Sequence, residues 1–183
     1  KSSQDSGMAG MGEEDALKNA KKWAAKLHEG GWSCLHWPKE YGGRGSTPIE
    51  RVIWGQEASK YKVPGGFFEI GQGMAGPVLM MYATEDQKKR YLPPMAKGEE
   101  VWCQLFSEPG AGSDLAGLKT KAVLDGDTWI INGQKIWTSG AHYSDYGILV
   151  TRSDPTAQKH KGLTYFFLDM KSPGVEVRPI KQI

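Results

Sequence analysis

Cysteine is scarce in this chain: Cys34 and Cys103 are the 2 among 183 residues. They lie far apart, each among large apolar residues and with no C-x-x-C pair, which excludes a disulfide scaffold and reads as reduced packing thiols of an intracellular protein. The 4 histidines, His28, His36, His142 and His160, show no two-ligand spacing, so no metal site is expected. An excess of one charge is missing as well, with 23 basic against 21 acidic residues and a net +2. Neither side of Gly98 is a polyelectrolyte, and nucleic-acid binding loses its usual footprint. No apolar run approaches the roughly 20 residues of a membrane-spanning helix. Neither Ser113 nor Ser139 sits in a G-x-S-x-G elbow, which leaves hydrolase chemistry without support. The start, Lys1 to Gly7, has no apolar h-region and is no signal peptide. Residues 1–12 are expected to be a disordered or artificially added lead, and the other end, Val175 to Ile183, has a strand-like pattern, as if cut inside a sheet.

What is present describes a globular chain, 39% hydrophobic and 24% charged, with its periodicity changing part-way. Leu17, Ala20, Ala24 and Leu27 recur at helical spacing behind the acidic turn Glu13-Glu14-Asp15, predicting an amphipathic helix from Glu13 to His28. Trp32 to Gly45, with its glycines and proline, predicts an ordered loop. Thr47-Pro-Ile-Glu50 and Thr84-Glu-Asp-Gln87 are capping boxes opening two further helices, the first reaching about Lys60 and the second ended by Pro93-Pro94. Between Gly65 and Tyr82 five punctuating residues, Gly66, Gly71, Gly73, Gly76 and Pro77, predict a broken helix pair. Beyond Gly98 the period becomes two. Strands are expected at 101–106, 119–124, 128–131, 136–138, 147–151, 163–168 and 175–177, antiparallel, with a hairpin turn at Asp125-Gly126. The resulting class is α+β: an all-helical domain at 13–98 followed by a mainly antiparallel β domain at 99–183.

Two segments carry possible chemistry. Gln104-Leu-Phe-Ser-Glu-Pro-Gly-Ala-Gly-Ser-Asp114 reads as a strand running into a glycine loop; it can present backbone donors and the Ser107 hydroxyl to a heterocycle, and Gly110, Gly112 and Ser113 to a phosphate. A plain turn between strands explains the glycines equally well. Its spacing is wrong for a dinucleotide fingerprint, and the following strand rejects a nicotinamide-binding fold. In Asn132-Gly-Gln-Lys-Ile-Trp137-Thr-Ser139 an aromatic plane and a hydroxyl two residues on would share one face of a strand, offering a stacking surface and a donor. By itself Trp137 also suits a core position.

With these residues the chain resembles the acyl-CoA dehydrogenase family. Ser107-Glu-Pro-Gly-Ala-Gly-Ser-Asp114 looks like the family signature and Gly133-Gln-Lys-Ile-Trp-Thr-Ser139 like its second flavin segment. Trp37-Pro-Lys-Glu-Tyr-Gly-Gly43 and Thr84-Glu-Asp-Gln-Lys-Lys-Arg-Tyr-Leu-Pro93 support them in the family's order. The resemblance implies an N-terminal helical domain and part of a middle β domain, truncated before a C-terminal helical domain. It implies FAD, bound by Gln104, Phe106, Ser107, Gly112, Ser113, Trp137, Thr138 and Ser139, with Ser113 also near the acyl-CoA substrate. The implied reaction converts a saturated acyl-CoA to the trans-2-enoyl-CoA, a base taking the α proton while the β hydrogen leaves to the flavin, and an electron-transfer flavoprotein receives the electrons. The family's catalytic glutamate comes from the C-terminal domain, so no catalytic residue is assigned here, and Glu108 is read as a structural or hydrogen-bonding carboxylate. The resemblance further implies fatty acid metabolism, a homodimer or homotetramer, no nucleic acid and no membrane span, in a bacterial cytoplasm or, in a eukaryote, the mitochondrial matrix. A non-catalytic flavin- or acyl-CoA-binding subunit and an acyl-CoA oxidase are the alternative readings. Trp32, Trp37 and the Gly71–Pro77 glycines would leave room for a bulky acyl group.

Overall fold

The computed structural model describes residues 12–180, so nearly all of the expected lead lies outside the described residues. The chain divides into two compact units, one up to Glu100 and one from Val101 onward.

The first unit is helical. Helix α1, Glu13–Glu29, buries Ala20 and Ala24 and has Glu13, Glu14 and Asp15 in its first turn, where the positive end of the helix dipole favours them. Helix α2, Pro48–Ala58, opens on the Thr47/Glu50 capping box, and α4, Glu85–Lys97, on the Thr84/Gln87 box, both as expected. The helix at α4 does not stop at its prolines, however. It runs through Pro93 and Pro94 to Gly98, whose φ of 71° forms a left-handed cap. The two missing N–H groups orphan only the carbonyls four residues back, on the exposed Lys89 and Arg90, where water can serve them. Buried Leu92, Met95 and Ala96 hold the helix in place. The expected broken pair at 65–82 is instead one helical stretch containing a π turn, Gly71–Ala75, that leads directly into α3, Gly76–Tyr82. Trp37 explains it: the ring is fully buried, its Nε1 donates to the Gln72 carbonyl at 3.1 Å, and a Cβ on Gly76 would strike its six-membered ring. The widened turn and the glycine make room for this indole. Trp37 and Gly76 therefore fill space against each other and do not open it for an acyl group.

The second unit is one mixed sheet of β1 (Trp102–Leu105), β2 (Lys121–Asp125), β3 (Thr128–Asn132), β4 (Tyr146–Arg152) and β5 (Leu163–Asp169). The β2–β3 hairpin turns at Gly126, and β4 runs antiparallel to β5 along its whole length. Most of the pairing is thus antiparallel. Two pairs depart from that expectation: β1 lies parallel to β4 from Trp102↔Tyr146 to Leu105↔Leu149, and β2 touches β4 in parallel at Lys121↔Arg152. The whole hairpin intervenes between β1 and β4, a connection long enough to bring the chain back in the same direction. The run at 175–177 is not a strand, since among the described residues no partner strand pairs with it. Cys103, Leu105, Leu149 and Met170 form the core on one face. Cys34 and Cys103 are free and buried, and burial pushes both thiols up to about 11.

Candidate functional site

Alternate residues of a strand share a face, so β1 delivers Gln104 and, just past its end, Phe106 to the face opposite Cys103 and Leu105. Both are half-buried. The same face carries a run of rings: Trp102 stacks on Tyr146 at 5.0 Å and meets Phe167 edge-on at 5.5 Å, and Tyr165 lies edge-on to Phe106 at 6.4 Å. Ala111, Leu118 and Val150 make the buried floor against which Phe106 packs.

After Ser107 the chain turns sharply. The Glu108 N–H donates to the Ala111 carbonyl at 2.8 Å and the Ala111 N–H returns the bond at 3.1 Å, placing Pro109 and Gly110 at the centre of a β-turn. The positive-φ glycines do not include Gly110 or Gly112, and a Cβ on either would meet nothing within 4 Å. What glycine provides here is bare backbone open to approach from outside. Ser113 is exposed beside it.

Below the turn lies a buried ion pair. The Glu108 carboxylate accepts hydrogen bonds from the Lys119 N–H at 2.6 Å, the Thr120 N–H at 2.9 Å and Lys135 Nζ at 2.9 Å. Lys135 Nζ also donates to the Phe106 carbonyl at 2.9 Å, and each of the paired side chains is only 7% exposed. Burial pushes the Glu108 pKa up, but the donors from Lys135, Lys119 and Thr120 outweigh it and hold the group at about 2. Burial lowers the Lys135 pKa, and Glu108 raises it back only in part.

The Ile136 N–H donates to the Ser107 carbonyl at 2.9 Å, joining the second segment to the first. The expected strand over 136–138 is absent. Trp137 takes a φ of 60°, which ends the extended run, so Trp137 and Ser139 do not share a face through strand alternation. A bulky residue in the left-handed region is strained, yet Trp137 is 66% exposed and gains no core burial in return. Thr138 follows with a hydroxyl that is buried and has no hydrogen-bond partner. Ser139 is exposed, and Gly140, with φ 73°, completes the turn. A strained exposed ring, an orphaned hydroxyl and open glycine backbone together fit a large planar ligand bearing hydrogen-bonding groups and phosphate. The structure thus brings Phe106, Ser107 and the 135–138 segment together through named bonds, and reaches Gly112 and Ser113 through the Glu108–Ala111 turn.

Lys135 and Arg152 escaped the sequence reading. Arg152 gives its guanidinium to three carbonyls, those of Leu118 at 3.4 Å, Lys159 at 3.1 Å and Ala116, and so ties down the loop that follows Ser113. Among the described residues no group of three or more metal-ligating side chains occurs and no helix is long and apolar enough to cross a membrane.

Comparison with known families matches the acyl-CoA dehydrogenase N-terminal domain over residues 8–99 and the acyl-CoA dehydrogenase middle domain over residues 103–183. The chain belongs to the acyl-CoA dehydrogenase family. Its relatives include acyl-CoA dehydrogenase IpdE1 of Mycobacterium tuberculosis, 43% identical over 97% of this chain and 46% of the relative. Acyl-CoA dehydrogenase FadE34 of the same organism is 46% identical over 96% of this chain and 24% of its own length. Among solved structures, the Tcur3481-Tcur3483 steroid ACAD superposes with a TM-score of 0.77 at 38% identity, over 87% of this chain and 44% of that one. The ChsE4-ChsE5 complex from Mycobacterium tuberculosis gives 0.74 at 38% identity, over 87% and 41%. The chain therefore spans less than half the length of these relatives.

Proposed function

We propose that these residues form the flavin-binding face of an FAD-dependent acyl-CoA dehydrogenase. In this reading Gln104, Phe106 and Ser107 line the flavin's pyrimidine edge, Gly112 and Ser113 meet the FAD phosphates, with Ser113 also near the acyl-CoA, and Trp137, Thr138 and Ser139 cover the ring. FAD held there would supply the two-electron acceptor for oxidising a saturated acyl-CoA to its trans-2-enoyl-CoA. Trp137 carries the proposal, because an exposed indole held at positive φ is costly unless something flat covers it.

The chain's own part is to bind, orient and exclude water. The Trp137 indole would shield a bound ring, and the Ser107 and Ser139 hydroxyls would offer it hydrogen-bond donors. Glu108 takes no proton in the reaction: a carboxylate saturated by donors and held at about 2 is a poor base for a carbon acid. The base belongs to another part of the complete protein, in keeping with relatives more than twice as long. Electrons would pass on to an electron-transfer flavoprotein. Assembly with further subunits and a cytoplasmic setting complete the proposal, supported by two solved relatives that each carry a paired name and by relatives from bacteria. Those relatives also support a bulky acyl group, one of them being described as a steroid ACAD.

The test uses the complete protein freed of flavin, given FAD and then, without oxygen, a panel of linear and steroid-sized acyl-CoAs. Uptake of FAD followed by bleaching matched by enoyl-CoA is expected, and failure to take up FAD would overturn the proposal. Rapid recolouring by oxygen alone would mark an oxidase instead.

A further inference from the structure

We infer that the buried Glu108–Lys135 pair is a positioning device, locking the 106–108 loop to the 135–138 segment so that Trp137 is held in its strained, outward pose. The inference rests on the flavin reading above and goes beyond it by assigning a role to two residues that need touch neither cofactor nor substrate.

Three consecutive residues of one segment are bonded to two consecutive residues of the other. The Phe106 carbonyl and the Glu108 carboxylate both accept from Lys135 Nζ, each at 2.9 Å, and between them the Ser107 carbonyl accepts from the Ile136 N–H at 2.9 Å. The ammonium thus bridges across the backbone bond, fixing both distance and twist. Glu108 is anchored in turn by the Lys119 and Thr120 N–H groups, on the run that enters β2. The clamp is therefore referred to the sheet and not to a mobile loop. Immediately beyond it comes Trp137, at φ 60° and exposed, then Thr138 with its orphaned hydroxyl. A strained residue persists only where its surroundings over-determine it, and Lys135 and Ile136 supply the restraint directly before it.

Replacing a buried ion pair by groups of similar volume is often neutral or stabilising, whereas removing one member leaves an uncompensated charge. Gly133 shows how tightly the segment is held: a Cβ there would strike Thr120, so the segment is pressed against the run before β2 that anchors Glu108. Close packing of this kind suits a site that must be held to within a fraction of an ångström.

The experiment compares the complete protein with the double variant Glu108→Gln/Lys135→Met, and with Lys135→Arg as the conservative variant. The readouts are FAD affinity, the visible flavin spectrum, and amide hydrogen exchange at 136–138 in flavin-free protein. The double variant should fold with an unchanged midpoint, exchange faster at 136–138 and bind FAD roughly 10- to 100-fold more weakly, by analogy with the loss of a group that orients a metal-ligating side chain. Its spectrum should shift, and Lys135→Arg should recover most of the affinity. Unchanged exchange at 136–138 in the folded double variant would overturn the clamp. Should the unsubstituted protein take up no FAD, the flavin reading fails by itself, while the exchange measurement still decides whether the pair holds Trp137 in place.

Discussion

Trp137 is held, at the scale of one side chain, against its own local stability, and the proposed flavin contact is what would offset it. Its left-handed backbone costs about 1–2 kcal/mol for an L residue, and the residue, 66% exposed, recovers little of that by burial. Trp137→Gly should therefore leave the flavin-free protein as stable as before or slightly more so, while Trp137→Ala and Trp137→Gly both weaken FAD retention and disturb its visible spectrum. Urea unfolding of the apo-protein alongside flavin titration separates the two effects, and unchanged retention would remove Trp137 from the site. Glu108 behaves in the opposite way. Its folded pKa of about 2 lies below the ordinary 4.5, so its stabilisation is complete above the unfolded value and is lost as pH falls from about 4.5 through 2. The amount is on the order of 2–3 kcal/mol, and the burial of Lys135 offsets part of it. Chemical denaturation between pH 6 and 2.5 should show a loss of stability in that window that is smaller in the Glu108→Gln/Lys135→Met variant.

At the scale of elements the π turn before α3 carries the sharpest expectation. A Cβ on Gly76 strikes the Trp37 ring, whereas one on Gly73 meets nothing within 4 Å. Gly76→Ala should then destabilise the helical unit by about 1–3 kcal/mol through overpacking, and Gly73→Ala should be neutral or stabilising by up to about 1 kcal/mol. Far-UV circular dichroism during urea unfolding tests both, and equal effects would mean that Trp37 does not set the turn. Which elements were legible follows the range of the forces that make them. Both capping boxes and the Gly126 turn are local chemistry among three or four neighbours, and all three stand where the sequence reading placed them. The continuation of α4 through Pro93-Pro94, the π turn and the parallel β1–β4 pairing depend on partners far along the chain: the α1 and α3 helices against which α4 packs, the Trp37 ring, the whole intervening hairpin. Periodicity does not register such partners. The candidate site divides the same way. Its two segments were visible as patterns of glycine, hydroxyl and tryptophan, but the residues joining them were not, because Glu108 and Lys135 stand 27 positions apart and neither pattern marks a partner for the other. The period-two reading of Trp137 and Ser139 failed at one dihedral angle, which the spacing of residues does not encode.

For the molecule as a whole, the question is whether these 183 residues suffice for the proposed chemistry. The carboxylate buried in the site is not suited to act as a base: Glu108 is held by backbone and ammonium donors and stays ionised far below neutral pH. Loss of a required general base removes roughly 10²- to 10⁴-fold in rate, and the proposed flavin face, if left open, would lose occupancy besides. Ile49, Val52 and Ile53, at helical spacing on α2, are each more than half exposed, as are Val123 and Leu124 on β2, and apolar groups in such patches promote association. Residues 1–183 purified alone are therefore expected to self-associate, to retain FAD poorly and to leave added flavin unbleached by saturated acyl-CoAs under anaerobic conditions. Light scattering, flavin retention on gel filtration and the absorbance of added FAD measure the three in one preparation. Bleaching with stoichiometric enoyl-CoA would show that a base within these residues is enough, and it would direct the search to a carboxylate outside the Glu108–Lys135 clamp.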